Sequence, residues 1–180
     1  MSLEMTLSYI LVFCRVTIAL VFLFSSVGKG FDLKHFRRTI DAFGILEYRY
    51  ISLAALLLLC GEAIVVLCMI LGGSLLLPGF FLATVLLLLF CAALASVLAR
   101  KMSLSCNCFG PSNKPVTGFD IVRNVGFILC ALAANFILFG AKQTQYSLSI
   151  LEWVTIGLSA AVFVILWMQI GDIAQFLHQK

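Results

Sequence analysis

Charge is what this chain has least of. Asp, Glu, Lys and Arg together make up 11% of its 180 residues, against ~25% in ordinary soluble domains. A soluble globule of this size needs more polar cover than that, because so much of its volume lies near its surface. The scarcity of charge excludes a soluble enzyme and a disordered chain. Only twelve Lys and Arg are present, too few for a polyanion-binding surface, so no nucleic-acid partner is expected. Two His argue against a zinc site, which takes four ligands. In place of charge stands apolar bulk: 63% hydrophobic residues and a mean hydropathy of +1.14.

Five stretches are long and apolar enough to cross a hydrocarbon core, which takes ~20 residues. They cover residues 9–27, 51–71, 75–98, 119–139 and 153–170. Lipid-facing backbone must satisfy its own hydrogen bonds, so these are helices, and they lack the alternation of barrel strands. The expected fold is an all-α integral membrane protein, an antiparallel bundle in a single transmembrane domain over 1–180. The first stretch has no basic flank and no clear cleavage site, and reads as a true span rather than a leader. Pro78 falls in the first turn of the third span, where its missing N–H is harmless. Trp153 and Trp167 suit the two interfaces of the last span.

The connections differ in kind. Gly72 to Ser74 predicts a tight turn and a helical hairpin. In the 28–50 segment Phe31, Phe36, Ile40 and Phe43 share one stripe, with Lys34, Arg37, Arg38 and Asp41 elsewhere, which predicts a short amphipathic helix lying in the interface. The extended polar loop is 99–118. Lys29, Lys34, Arg37, Arg38, Arg49, Arg100, Lys101, Lys114 and Lys180 fall on one side of a five-span bundle, and Lys142 on the other. The positive-inside rule then puts the N-terminus outside and the polar loop at the cytoplasmic face of a plasma membrane.

That loop carries Cys106-Asn107-Cys108-Phe109-Gly110-Pro111. The other five cysteines, at 14, 60, 68, 91 and 130, sit in apolar runs, where a free thiol is a small hydrophobe. A secreted disulfide scaffold is thereby excluded. Two thiols one residue apart close only a strained ring, and strain raises the reduction potential. The pair therefore suits reversible two-electron exchange, the alternative being two incidental loop cysteines. Nearby cations lower a thiol's pKa, and Lys29, Arg100, Lys101 and Arg123 lie on the same membrane face.

Glu62 is the second feature. An ionised carboxylate in a span costs ~2.5–3.5 kcal/mol on insertion scales and usually has a partner inside the bundle. Arg15 is the expected one: it lies ~9 Å and Glu62 ~13 Å from the outer face, at about 1.5 Å per residue. The pair reads either as a static bridge that fixes register, or as a proton acceptor or quinone contact coupled to thiol oxidation. Arg123 and Asn124 open the fourth span, either snorkelling or lining a cavity below the Cys loop. Asn135 is suited to a hydrogen bond across the bundle. Cys14, Cys60 and Cys130 offer a less favoured relay of thiols.

Taken together, Arg15, Val27-Gly28-Lys29 with Asp32 and Phe36, Gly61-Glu62, Cys106-Asn107-Cys108-Phe109-Gly110 and Arg123-Asn124 resemble the MauE family of methylamine-utilisation membrane proteins, within a broader DoxX-like group. The family commonly has Gly between the two cysteines, where this chain has Asn107. The resemblance implies a four-helix DoxX-like core plus a fifth helix, in a bacterial inner membrane. It implies that Cys106 and Cys108 are the redox pair, supported by Glu62, Arg15, Lys29, Arg123 and Asn124. It also implies a thioredoxin-like or other redox protein as partner, with quinone linkage known among DoxX-like relatives. In the family the thioredoxin-like partner is periplasmic, which the resemblance implies would need the loop outside, whereas the charge bias puts it inside.

The expected function is a membrane thiol–disulfide oxidoreductase with no metal. The rival readings are a non-catalytic assembly factor docking through the 31–43 helix and, with less support, a solute transporter.

Overall fold

The computed structural model describes residues 3–42, 44, 47–100, 117–140 and 149–169. The Cys106-x-Cys108 motif lies outside the described residues, as do Phe43, Lys101 and Lys114. The described residues form six α-helices and no strand. They are α1 (Leu3–Phe31), α2 (Leu33–Ala42), α3 (Tyr48–Leu71), α4 (Leu76–Ala99), α5 (Gly118–Gly140) and α6 (Ile150–Met168). All but α2 are long and apolar enough to span a bilayer. The chain is an all-α integral membrane protein in contact with lipid.

Each core helix carries one buried stripe at helical spacing. On α1 it is Cys14, Ile18, Val21, Phe22, Ser25 and Lys29, and on α3 Ile51, Ala55, Glu62, Val65 and Met69. On α4 the stripe includes Phe80, Ala83, Leu87 and Leu94, and on α5 Asn124, Phe127, Ala131 and Ala134. These residues repeat every three to four positions, so they share a face. The opposite faces are apolar too, and they meet lipid. The pairs α1–α3, α3–α4, α4–α5 and α5–α1 close a four-helix ring. Helix α6 packs against α1 from outside, and only Ala160 and Val164 of it are buried.

Small residues set the close approaches, as expected where packing rather than hydrophobicity drives association. A Cβ on Gly79 would lie 2.7 Å from the Cys68 Cβ. One on Gly126 would meet the Trp167 ring at 2.7 Å. Trp167 therefore turns inward rather than marking an interface. It seats on α5, donates its Nε1–H to the Arg123 carbonyl at 3.2 Å and stacks on Phe163. At the other end of α6, Ser149 and Glu152 form a capping box, and Tyr9 donates to Glu152 at 2.6 Å, tying α6 to α1.

The α3–α4 connection is a Gly72 linker followed by a 3₁₀ turn, Gly73–Leu75. Gly72 (φ 72°) and Gly73 (φ 61°) both lie in the left-handed region, which L side chains avoid. Gly72 is fixed for a second reason: a Cβ there would lie 2.8 Å from the Arg15 Nη2.

The amphipathic segment forms α2, and its apolar face is used internally. Phe36 and Ile40 pack on Ile51 and Ala55 of α3. Phe31 does not join them; it is 88% exposed, because α1 continues through it. The stripe expected as a docking surface is thus already occupied by the bundle.

Replacing Gly72 (φ 72°, ψ −154°) with Ala should destabilise the protein by roughly 1–3 kcal/mol, the cost of an L residue in backbone space that is essentially glycine's alone. A lowered thermal midpoint in detergent checks this, and an unchanged midpoint contradicts the account of the turn.

Candidate functional site

Lys29 lies in the last turn of α1, one residue beyond Gly28 and inside the helix rather than in the following connection. Ser25 precedes it by one turn, so both side chains share a face. Glu62 stands on the facing stripe of α3. The Lys29 ammonium forms an ion pair with Glu62 Oε1, and the Ser25 hydroxyl donates to the same oxygen at 3.0 Å. Lys29 is 2% exposed and Glu62 fully buried. The Phe90 ring stands 4.1 Å from the ammonium and the Phe36 ring 5.2 Å, adding cation–π attraction in a dry setting. Glu62 Oε2 has no hydrogen-bond partner among the described residues.

Lys29, not Arg15, is therefore the partner of Glu62. Arg15 instead donates Nε–H to the Met69 carbonyl at 2.6 Å and Nη2–H to the Ile70 carbonyl at 3.1 Å. These are orphan carbonyls at the C-terminal end of α3, where a cation also meets the negative pole of the helix dipole. The Trp153 ring covers the guanidinium at 5.4 Å. The depth argument from the sequence failed because it assumed that both Lys29 and its neighbours had already left the membrane helix. The signal that could have found Lys29 is the run Ile18, Phe22, Ser25, Lys29 on one helical face.

Asn124 and Arg123 part company. Asn124 is buried and donates to the Leu87 carbonyl at 3.1 Å, joining α5 to α4. Arg123 turns toward Asp120 at 3.0 Å and the Met168 carbonyl at 3.4 Å. Asn135 donates to Thr84 Oγ1 at 3.3 Å, the expected bond across the bundle. Among the apolar-run cysteines, Cys14 is buried and Cys130 half-buried. Cys60 is exposed on the outer face of α3, away from the stripe that carries Glu62.

Beside the ion pair is a cavity of about 10 Å³ lined by Val21, Phe22, Ser25, Leu87, Phe90, Leu94 and Asn124. Ser25 links it to Glu62. Its size is about that of one water. Sites for drug-sized organic ligands run to ~300–1,000 Å³, so this cavity does not fit a quinone ring. The described residues hold no group of three or more His, Cys, Asp or Glu placed to bind a metal.

Helix direction places this cluster relative to the Cys loop. Arg15 touches the C-terminal end of α3, so α1 and α3 are antiparallel, and the hairpin turns α4 back along α1. Lys29, the C-terminal half of α4 and the N-terminal end of α5 share one side of the bundle. Arg100 and Thr117, the described residues on either side of 101–116, both lie on that side. Thr117 is anchored there through its N–H and hydroxyl to Asp120, at 2.9 and 3.2 Å.

Removing Glu62 alone, as in Glu62→Ala, strands a buried ammonium and should cost roughly 3–5 kcal/mol. The double variant Lys29→Met/Glu62→Leu should recover most of that loss. Thermal unfolding in detergent decides: equal loss in both variants would sink the pairing.

No curated protein and no solved structure matches the sequence. The family model described as methylamine utilisation protein MauE matches residues 7–137, well over half of the chain and all four helices of the ring. The chain belongs to the MauE family of methylamine-utilisation membrane proteins.

Proposed function

We propose that this protein is a membrane thiol–disulfide oxidoreductase whose working pair is Cys106 and Cys108. The observation that carries this reading is their tether. Arg100 and Thr117, which flank the segment bearing both thiols, lie on the side of the bundle where Lys29 and Glu62 are buried. Family membership and the Cys-x-Cys-Phe-Gly motif support it.

In the working cycle a dithiol on a partner protein is oxidised. One partner thiolate attacks the Cys106–Cys108 disulfide, forming a mixed disulfide and freeing one loop thiol. The partner's second thiolate then attacks the mixed bond. The partner leaves oxidised and both loop cysteines are reduced. Two electrons and two protons have entered the loop. Reoxidation passes the electron pair to a second thiol protein's disulfide, whose two sulfurs take the two electrons and two protons. A thioredoxin-like protein fits either position. No step is routed through a quinone, since the cavity beside Glu62 has no space for its ring. Ser25 and Lys29 hold Glu62 Oε1, leaving Oε2 with a lone pair for a proton in transit.

Lys29 drops out of the positive-inside tally, because it is consumed within the bundle. The remaining basic residues still favour the loop side as cytoplasmic. The assembly-factor reading loses its docking stripe, since Phe36 and Ile40 are buried on α3.

Maleimide-shift labelling of the full-length protein in membranes tests the proposal. Cys106 and Cys108 should label only after reduction, and Cys106→Ser or Cys108→Ser should abolish partner oxidation. Full labelling under every redox condition, with partner oxidation intact in the double Ser variant, overturns it.

A further inference from the structure

A second polar concavity lies outside the site just described, where α2 meets the start of α3. It encloses about 340 Å³ and is lined by Arg37, Arg38, Asp41, Tyr48, Arg49, Ile51 and Ser52. Three guanidinium groups share this hollow with a single carboxylate. Among the described residues none of the three has an ion pair or a side-chain hydrogen bond; Arg49 rests only over the Tyr50 ring at 5.7 Å. Like charges gathered round one hollow repel, and an anion seated among them would relieve that repulsion.

The fold explains why they gather. Burying Phe36 and Ile40 on α3 forces Arg37, Arg38 and Asp41 to the open side of α2, and Arg49, in the first turn of α3, lines the same hollow. The volume falls in the range of small-ligand sites. Guanidinium forks match phosphate oxygens in geometry and charge. The first turn of α3 adds its N-terminal dipole, and Glu47 makes no side-chain cap there.

We propose that this groove binds the phosphodiester headgroup of an anionic phospholipid. The favoured source is lipid rather than free phosphate because of what surrounds the hollow. An amphipathic helix lies beside a membrane span, Tyr48 in the hollow's lining is an exposed aromatic side chain, and Leu53 in the second turn of α3 is exposed and apolar. Clusters of basic residues next to a span are the usual readers of anionic lipid. Asp41 faces the same hollow and weakens the field, so it limits affinity.

The experiment uses the full-length protein in detergent, titrated with short-chain phosphatidylglycerol, short-chain phosphatidylcholine and inorganic phosphate in separate arms. Binding is read by microscale thermophoresis, and folding by the thermal midpoint without ligand. Phosphatidylglycerol should bind at least about tenfold more tightly than phosphatidylcholine or inorganic phosphate. Arg37→Gln/Arg38→Gln/Arg49→Gln should lose about tenfold or more with an unchanged midpoint, while the triple Lys variant keeps part of the affinity. Asp41→Asn should tighten binding. Inorganic phosphate binding as tightly as phosphatidylglycerol, with the same Arg dependence, would overturn the lipid assignment. Phosphatidylglycerol binding unaffected by the triple Gln variant would overturn the site. Should the triple Gln variant unfold, single Arg→Gln changes each giving no loss would overturn it equally. None of these readouts depends on Cys106 or Cys108.

Discussion

A carboxylate and an ammonium buried together inside a membrane bundle govern this structure. Neither group can remain ionised alone in hydrocarbon. Once Glu62 stands on the inner stripe of α3, a cation must meet it, and the cation must come from a neighbouring helix. Lys29 supplies it from the last turn of α1. That demand fixes the register of α1 against α3, keeps α1 helical through Phe31, and pushes the entry to α2 outward. Phe36 and Phe90 then close over the ammonium from two other helices, so one polar contact organises three of the bundle's packing surfaces.

The same bundle shows a division of labour among its arginines and lysine. Arg15 caps the exposed carbonyls of α3 and lies against the Gly72 turn. Arg123 joins α5 to the end of α6. Lys29 alone is spent on an internal carboxylate. The planar fork of arginine suits two carbonyls at a helix end. The flexible, compact ammonium of lysine reaches a single oxygen between crowded rings. The groove arginines of α2 and α3 stand apart from all of these, at the surface and, among the described residues, without an ion pair or side-chain hydrogen bond.

Much of the fold was legible in the chain. The length and continuity of the apolar runs required five spans, and the Gly72-Gly73 pair required a tight hairpin. The 3.6-residue spacing of Phe36 and Ile40 required an amphipathic helix. The site was only partly legible. Glu62 announced itself by its chemistry, since a lone carboxylate in a span is costly wherever it lies. Its partner did not, because Val27-Gly28-Lys29 resembles the end of a span, and a lysine near a membrane interface ordinarily snorkels. Which of two adjacent residues, Arg123 or Asn124, faces the cavity also depends on helix rotation, which no apolar pattern specifies when every face is apolar.

From the sequence alone came the membrane, the number of crossings, the isolated carboxylate, and a polar loop holding two close thiols. These follow from transfer energies and bond geometry, which act on each residue locally. Tertiary packing alone decided that Lys29 answers Glu62, that Arg15 serves as a helix cap, that Trp167 is a packing residue, and that three arginines converge on one hollow. Such pairings depend on the relative rotation and depth of separate helices. In lipid those are set by steric fit and by the few polar contacts a bundle can satisfy.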